Sequence, residues 1–452
     1  MKKTTIALFA CLVFALGLAY SPGVYADTPK PDVVVKANPA NMVSGYLADL
    51  DYVQVEWATR TGAEGDRVIP HVKPGQIVQI DTINIVGLTR GDIDGNKALL
   101  TEWGVDPDSE IGQTIINVAE HLTGGHVLTG PVYIDGAEPG DILEVRVIDL
   151  ILPAPYGRCQ QRPGSGAIPD LVPFNYTKVI KLDLENQTCL FDENIQFKLY
   201  PFMGIMGLAP PTGYTTSARY VDYGYTSSSP PGSFAGNLDL RHLTRGSTLY
   251  IPVYHSGGLF YAGDAHANQG NGEVTVNGIE ASLTGIFQFI VHKPGEATGF
   301  LEGLEHPFAE NKTHYIPIGL GDREAKDLNS AMVDAVLNTI EFLEKEKGMT
   351  WQEAFALASV AIDFEVTQVV DSTLGIHAMI DKSMWINEEL EYWYDNDNYF
   401  KQHQKKDHFK SNKWKNVSFK SNHGKNHQPS FNVNTVKGIL SSLISYITSF
   451  FR

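Results

Sequence analysis

Potential metal ligands are concentrated in a glycine-rich segment between Tyr250 and Glu280. Asp264 and His266 are two residues apart, so in an extended strand their side chains leave the same face and can approach one cation. Carboxylate oxygens and imidazole nitrogens are ligands of zinc and of other divalent ions. Any one of these residues alone is more typical of a solvated loop, but their spacing together favours a metal site.

Two further acids, Glu273 and Glu280, lie on either side of the dipeptide Asn277-Gly278. Asn-Gly is a strong signal for a two-residue hairpin turn. Such a turn between strands at 273–276 and 279–291 predicts that both glutamates lie on one face. Carboxylates on one apolar face repel each other unless a cation, a proton or water lies between them. The pattern therefore adds both acids to the candidate site.

An upstream segment repeats this spacing of oxygen-bearing side chains, with Asn237 and Asp239 just before another apolar run. Taken alone, Asn-x-Asp is more typical of a turn or a helix cap than of a pair of ligands. Beside the downstream acids it becomes a source of further ligands. We therefore include Asn237 and Asp239 among the candidates.

These segments resemble the acetamidase/formamidase family. The resemblance is collinear and runs from about residue 35 to about residue 385. The matching blocks are 128–141, 201–207, 236–239, 263–273, 367–371 and 375–378. One departure is Ala235, which stands where the family often has a glycine. Several blocks in order are far more specific than one motif.

The resemblance implies hydrolysis of a small linear carboxamide, of the formamide or acetamide type, to ammonia and a carboxylate. Amide resonance makes the carbonyl a poor electrophile, so the enzyme must activate water, polarise the carbonyl and protonate the departing amine. A divalent cation can perform the first two tasks, because it lowers the pKa of bound water from about 15.7 to about 7. Zinc is the favoured ion, although manganese, iron and calcium also accept such ligands.

Roles follow from this hypothesis. The metal ligands are Asp264 and His266, with Asn237, Asp239 and Glu280 as further ligands or as residues that support them. Glu273 is the general base and proton shuttle, which makes Glu273, Asp264 and His266 the catalytic group. His126, in the glycine-rich segment 123–131, and Gln269 are assigned to the substrate. A lone loop histidine is more often only solvated or hydrogen-bonded.

Two alternatives stay open. The first is a serine-nucleophile amidase that uses Ser165, which lies between two glycines but lacks the full nucleophile-elbow pattern. The second is an exported metal-binding or ligand-binding β protein that keeps the hydrolase fold without activity. Chelation separates the serine enzyme from the metal enzyme, and an amide assay separates an enzyme from a binding protein.

The amino terminus has the pattern of an export signal, with Lys2 and Lys3, an apolar run at 6–19, and small residues before Asp27. The pattern predicts a signal peptide over 1–26 and a secreted, periplasmic or cell-surface bacterial protein. Cys159 and Cys189 remain after cleavage. They form either one disulfide or two free thiols.

The composition is typical of a turn-rich β protein, with 43% hydrophobic residues, 42 glycines and 24 prolines. Strands are predicted at 33–35, 77–86, 132–134, 142–152, 249–254 and 286–292, and a hairpin over 130–149. Apolar residues at helical spacing up to Gly348, and a capping box that begins at Thr350, predict two late helices. We expect a mainly β (α+β) fold whose late helices cover one face of a sheet. The resemblance adds sandwich-like sheets and a catalytic region over 27–385.

Charge is unevenly distributed. The net charge of −17 argues against nucleic acid as a partner, because phosphates would be repelled.

The basic segment 386–435 is predicted to be disordered. The segment 436–452 is predicted to be an amphipathic helix, too short to span a bilayer core of about 30 Å but able to rest on a membrane surface. The family resemblance favours a homo-oligomer.

Overall fold

Strands form most of the regular structure. The computed structural model describes residues 28–44, 46–47, 50–51, 53–54, 69–122, 126–211, 214, 225–321, 327–388 and 392–394. The strands are β1 (Val33–Val35), β2 (Met42–Ser44), β3 (Tyr46–Leu47), β4 (Leu50–Asp51), β5 (Val53–Gln54), β6 (His71–Val72), β7 (Ile77–Thr82), β8 (Val127–Ile134), β9 (Ile142–Ile151), β10 (Tyr156–Gln161), β11 (Tyr176–Asp183), β12 (Thr188–Leu190), β13 (Gln196–Lys198), β14 (Phe202–Gly207), β15 (Tyr225–Thr226), β16 (Ala235–Asn237), β17 (Thr248–Pro252), β18 (Phe260–His266), β19 (Leu283–His292), β20 (Phe308–Glu310), β21 (His314–Leu320), β22 (Asp363–Gln368) and β23 (Gly375–Asp381). The α-helices are α1 (Ile93–Glu102), α2 (Glu110–His121), α3 (Leu328–Lys347) and α4 (Trp351–Ala361).

Two large sheets pack face to face around the main core. The nine-stranded sheet has the order β1-β7-β19-β9-β17-β20-β21-β23-β22, and the six-stranded sheet has the order β16-β14-β18-β8-β2 with β6 beside β8. A separate four-stranded sheet has the order β10-β11-β12-β13. Between the large sheets, the ring of Phe260 on β18 lies 5.6 Å from that of Phe287 and 4.9 Å from that of Phe289, both on β19. The predicted mainly β, sandwich-like fold is confirmed.

Phe260 is fully buried in this layer, which predicts a large effect of its removal. Phe260→Ala is expected to lower the free energy of unfolding by about 3–5 kcal/mol, because it removes apolar contacts and leaves a cavity. Urea unfolding followed by fluorescence measures the loss. Phe197→Ala on β13 is the matched control, since Phe197 is 36% exposed. Equal losses in the two variants would contradict this account of the core.

The two predicted late helices are present and pack where expected. Helix α3 lies against β21 and β23 of the nine-stranded sheet. It ends at Gly348, whose φ of 63° is the left-handed conformation that glycine adopts readily. Helix α4 begins with the predicted capping box, in which Thr350 and Glu353 each bond to the backbone of the other. Helices α1 and α2 were not predicted, and they bury a smaller apolar cluster of their own.

The predicted positions of the strands are confirmed, but the predicted pairing of two of them is wrong. Each predicted run contains a strand, although the run at 77–86 ends at Thr82. The predicted hairpin over 130–149 is wrong, because β8 lies in the six-stranded sheet and β9 in the nine-stranded sheet. The turn between them therefore passes from one layer of the sandwich to the other.

Residues near the end of the described chain pack on the nine-stranded sheet. The hydroxyl of Tyr392 lies 3.0 Å from Oγ1 of Thr248, and Nε1 of Trp393 donates to the same oxygen at 2.8 Å. The predicted disordered segment was placed from 386 onward, so the structure describes ordered residues inside its first part. The rest of that segment, the predicted helix at 436–452 and the predicted signal peptide at 1–26 lie outside the described residues.

Cys159 and Cys189 are free thiols, the second of them buried. Among the described helices, none is both long and apolar enough to cross a membrane.

Candidate active site

His266, the last residue of β18, lies at the centre of a group of acids. Its Nε2 is 2.9 Å from Oε1 of Glu280 and 4.0 Å from Oε1 of Glu273. Its Nδ1 is 3.6 Å from Oδ1 of Asp239. A carboxylate oxygen of Asp264 lies within 4.8 Å of ligand atoms of both His266 and Glu280. The structure thus brings these sequence-predicted acids to one imidazole.

The acids perturb one another strongly. Burial, followed by repulsion from neighbouring carboxylates, raises the pKa of Asp239 and of Glu273 well above the usual range. Burial also raises the pKa of Glu280, against the opposing effect of His266. Burial raises the pKa of Asp371 to about 7. Burial alone would lower the pKa of His266, but the surrounding carboxylates raise it to about 10. Such a concentration of negative charge is stable only with protons or a cation among the oxygens.

Several polar atoms of this centre are buried without a hydrogen-bond partner among the described residues. They are Oδ1 and Oδ2 of Asp239, Nδ1 of His266, Oε2 of Glu273 and Oδ2 of Asp371. Buried polar atoms are rarely left without partners, because each one costs desolvation energy. Carboxylate oxygens with one imidazole nitrogen form a donor set that suits a divalent cation. The residues present therefore fit a metal ion.

The backbone at three of these acids is left-handed. Asp239, Asp264 and Glu273 have φ values of 47°, 48° and 43°. Residues other than glycine seldom adopt this conformation, and it clusters at functional sites. Asp264 therefore departs from the simple alternation of an extended strand. Its approach to His266 has a different origin from the one that the two-residue spacing assumed.

The predicted hairpin around Asn277-Gly278 is wrong. The stretch after Glu273 forms a turn closed by a 3.0 Å hydrogen bond from the amide of Val276, whose φ of 68° is incompatible with a strand. Glu280 is placed instead by β10. Its amide donates to the carbonyl oxygen of Arg158 at 2.7 Å, and the amide of Arg158 donates back at 2.9 Å. Glu273 and Glu280 both lie in the centre, but the local sequence does not predict the contacts that place them there.

His126 lies at the edge of the centre. Its Nε2 is 3.8 Å from Oδ2 of Asp264, and its Nδ1 is 2.9 Å from the hydroxyl of Ser228. The side chains of His126 and Asp264 are 17% and 12% exposed, whereas that of His266 is fully buried. The centre is least buried at this edge.

Two amide side chains, those of Gln269 and Asn237, belong to the surroundings of the centre. Nε2 of Gln269 donates to the carbonyl oxygen of Asp239 at 3.0 Å. Nδ2 of Asn237 donates to the carbonyl oxygen of Ser229 at 3.0 Å. Their amide oxygens are buried and have no hydrogen-bond partner among the described residues. Both side chains are thus anchored by their nitrogens.

Asp371 belongs to the centre and was missed by the sequence analysis. It follows β22, and it interacts with Asp239 and Glu273 through its buried carboxyl group. Its signal was weak but present, because it is the only acid in the matching block 367–371. Asp239 and Glu273 lie more than ninety positions before Asp371, so no local spacing relates Asp371 to them.

A second group of potential ligands was also missed. Oε2 of Glu365 lies 3.7 Å from Nε2 of His242 and 3.6 Å from Nε2 of His377. The nearby His377 is the main reason why the pKa of Glu365 falls to about 2. Burial, followed by the charge of His377, lowers the pKa of His242 to about 4.

Ser165, the alternative nucleophile, and the two free thiols lie outside this group of acids. Ser165 is in a turn where its amide donates to the carbonyl oxygen of Arg162 at 3.2 Å. Within the described residues, its hydroxyl has no histidine as a hydrogen-bond partner. Burial raises the pKa of the thiols of Cys159 and Cys189, which disfavours the reactive thiolate.

A buried group of acids around an imidazole, open to solvent on one side, can activate water and transfer protons, which is the chemistry of a hydrolase. The sequence model of the Acetamidase/Formamidase family matches residues 68–222 and 216–380. The chain therefore belongs to the acetamidase/formamidase family. It is an amidase, a hydrolase that acts on linear amides.

Curated relatives agree with this assignment. An acetamidase of Mycolicibacterium smegmatis is 25% identical over 295 residues, which cover 51% of this chain and 72% of the relative. A formamidase of Methylophilus methylotrophus is 24% identical over 359 residues, which cover 67% of this chain and 83% of the relative.

Solved structures show the same fold. A predicted acetamidase/formamidase from Thermoanaerobacter tengcongensis matches with a TM-score of 0.58 and 21% identity, over 80% of this chain and 99% of that one. An acetamidase from Bacillus halodurans matches with a TM-score of 0.54 and 24% identity, over 70% of this chain and 92% of that one.

Proposed function

We propose that this amidase hydrolyses a small carboxamide, of the formamide or acetamide type, to ammonia and the carboxylate by means of a divalent cation held at the His266 centre. The observation that carries the proposal is the set of buried, unpartnered oxygen and nitrogen atoms that converge there. Zinc is the ion we favour, because an imidazole is among the donors. The names of the two curated relatives support the class of substrate.

Asp264 and His266 are the residues that would hold the cation, with Asp239 as a further ligand on the Nδ1 side of the ring. Glu280 has a different role, because its Oε1 already binds Nε2 of His266 at 2.9 Å and the amide of Gly278 at 3.2 Å. It fixes the ring so that Nδ1 faces the acids. When bound, a divalent cation supplies polarisation of the amide carbonyl and activation of water.

Glu273 is the residue we assign to proton transfer. Its Oε2 is buried and has no hydrogen-bond partner in the described structure, so it can accept a proton from a water molecule bound inside the centre. A carboxylate there takes the proton from the attacking water and returns it to the departing amine. Asp371, which interacts with Glu273, is placed to tune its basicity.

The substrate enters beside His126, where the centre is partly exposed. The imidazole of His126 can hydrogen-bond the amide once it lies next to Asp264. Gln269 and Asn237 are more deeply buried. Gln269 positions Asp239 through the hydrogen bond to its carbonyl oxygen, and Asn237 is anchored to the carbonyl oxygen of Ser229.

Ammonia release from formamide, acetamide, propionamide and larger amides tests the proposal, with purified full-length protein that has been loaded with zinc. We expect turnover of the smallest amides. Silence across the panel in protein with bound metal would instead support the alternative of an inactive binding protein on this fold.

Gly204 on β14 gives the centre a steric requirement. A Cβ atom there would lie 2.4 Å from Oδ1 of Asp239, 2.6 Å from the carbonyl oxygen of Asp264 and 2.8 Å from Cε1 of His266. Gly204→Ala is therefore expected to displace the acids and to lower kcat/KM for amide hydrolysis by about 10²-fold. Gly270→Ala is the control, because its added Cβ meets nothing within 4 Å. Equal activity in the two variants would contradict the geometry.

We also propose that the chain forms a homo-oligomer. Large apolar side chains are exposed on and beside the four-stranded sheet, among them Val179, Leu190, Phe191, Ile195 and Phe197. Exposed apolar surface commonly marks an interface between proteins. Light scattering after size exclusion is expected to give a multiple of the chain mass, and a monomer across the concentration range would refute the proposal.

Export and membrane contact are proposals that depend on residues outside those described. Amino-terminal sequencing of the secreted protein is expected to begin at Asp27, and an intact Met1 would oppose a cleaved signal. Liposome sedimentation with and without residues 436–452 tests membrane contact by the basic tail.

A further inference from the structure

The group formed by His242, Glu365 and His377 lies outside the centre described above and shares no residue with it. One ligand atom from each residue lies within 4.8 Å of the other two. The three residues come from different parts of the fold, namely the loop after β16, strand β22 and strand β23. No two of these residues are neighbours in the sequence, so it is the tertiary structure that brings them together.

His377 has the arrangement of a metal-binding histidine. The residue is fully buried, and its Nδ1 is hydrogen-bonded to Oγ1 of Thr367 at 2.8 Å. Its Nε2 is buried and has no hydrogen-bond partner among the described residues, and the same holds for Nε2 of His242. A hydrogen bond to one ring nitrogen fixes the ring and directs the other nitrogen toward a metal. Nε2 of His242 and Nε2 of His377 therefore both lie near Glu365 without a hydrogen-bond partner among the described residues.

The distances fit a cation between the side chains. Nε2 of His377 and Nε2 of His242 lie 3.6 Å and 3.7 Å from Oε2 of Glu365, too far for hydrogen bonds. Zinc bonds of about 2.0–2.1 Å in tetrahedral geometry hold ligand atoms about 3.4 Å apart. The side-chain amide of Asn271 donates to the same carboxylate oxygen and orients it. The Glu365 side chain is 37% exposed, which gives an ion a route from solvent.

We propose that His242, Glu365 and His377 form a second divalent-cation site, with two imidazoles and one carboxylate, of the kind that zinc occupies. The bound ion would fasten the β22–β23 hairpin to the loop after β16. That loop contains Asp239, and the hairpin connection carries Asp371, so the second ion would brace two acids of the first centre. Arg241 is a positive charge close to both histidines. We therefore expect weaker binding here than at the carboxylate-rich first centre.

Metal content of the full-length protein tests the site. Protein is stripped with chelator, loaded with zinc, freed of excess ion by gel filtration and measured by elemental analysis. His242→Asn and Glu365→Gln are each expected to lose about one equivalent of zinc relative to the unaltered chain, since each removes one of three ligands. These residues are partly exposed, so both variants are expected to fold. Circular dichroism checks this directly.

His71→Asn is the matched control. It removes a histidine that is also paired with a carboxylate, at 2.9 Å from Asp135, on the surface of another part of the fold. We expect it to lose no zinc. The histidines at 403, 408, 423 and 427 are present in every variant and contribute the same background.

A variant of the first centre separates this inference from the proposed function. His266→Gln loaded with cobalt(II) is expected to keep a visible absorption band from the second site, and the double variant with His242→Asn is expected to lose it. Loss of the band in His266→Gln alone, or unchanged metal content in both His242→Asn and Glu365→Gln, would overturn the second site. Metal content that His266→Gln leaves unchanged would instead count against the first centre.

Discussion

Glu273→Gln is expected to lower kcat for amide hydrolysis by about 10²–10⁴-fold, the contribution typical of a general acid–base group. Glutamine has nearly the same shape, but it can neither accept the proton of the attacking water nor deliver one to the departing amine. We do not assign Glu273 to the metal, so bound zinc should be retained. Measurements of kcat with acetamide or formamide, together with elemental analysis, check both parts.

The same chemical change at Glu296 is the control for this experiment. Glu296 is exposed on a turn, and Glu296→Gln is expected to leave kcat within about twofold, as surface substitutions usually have small effects. A Glu273→Gln enzyme with normal turnover would remove Glu273 from proton transfer and would direct attention to Asp371. Loss of metal in this variant would show instead that Glu273 is a ligand.

Removal of the cation that we propose for the His266 centre is expected to lower ammonia release by at least about 10²-fold, because several kcal/mol of transition-state stabilisation are lost with it. Without the ion, the buried acids share protons, as the raised pKa values of Asp239 and Glu273 indicate. The carboxylates are then neutralised by protons, and water is not activated. Dialysis against a strong chelator, followed by an assay and by restoration with zinc, measures the effect.

Ser165→Ala supplies the comparison for the chelation experiment. In zinc-loaded protein we expect this variant to keep full activity, because Ser165 lies in a turn without a histidine partner among the described residues. Activity that survives chelation in demonstrably metal-free protein, and that disappears in Ser165→Ala, would replace the metal mechanism by a serine nucleophile.

Much of the composition of the first centre was visible in the sequence because its acids and its imidazole are locally dense. Asp264, His266, Glu273 and Glu280 lie within seventeen positions, and this density of acids and imidazole was visible without a structure. Strands such as β9 and helices such as α3 were likewise predictable, since apolar periodicity and caps are local signals.

Features that depend on contacts between distant segments were not predictable. The pairing of Glu280 with Arg158, the approach of Asp371 to Asp239 and the convergence of His377 with His242 all depend on how separate segments are placed in the fold. Local periodicity carries no information on such pairing. The hairpin prediction failed for a related reason, because Val276 adopts a backbone conformation that its residue type disfavours.

The left-handed backbone at Asp239, Asp264 and Glu273 limits how this centre can be altered by evolution or by protein engineering. Asparagine accepts that conformation readily, whereas a β-branched residue would cost of order 1–3 kcal/mol before any change in ligand chemistry. Attempts to change the ion that we propose for this centre should therefore begin with Asn in place of Asp239 and Asp264. His266 does not have a left-handed backbone, so the backbone conformation places less restriction on its replacement by a softer donor such as cysteine.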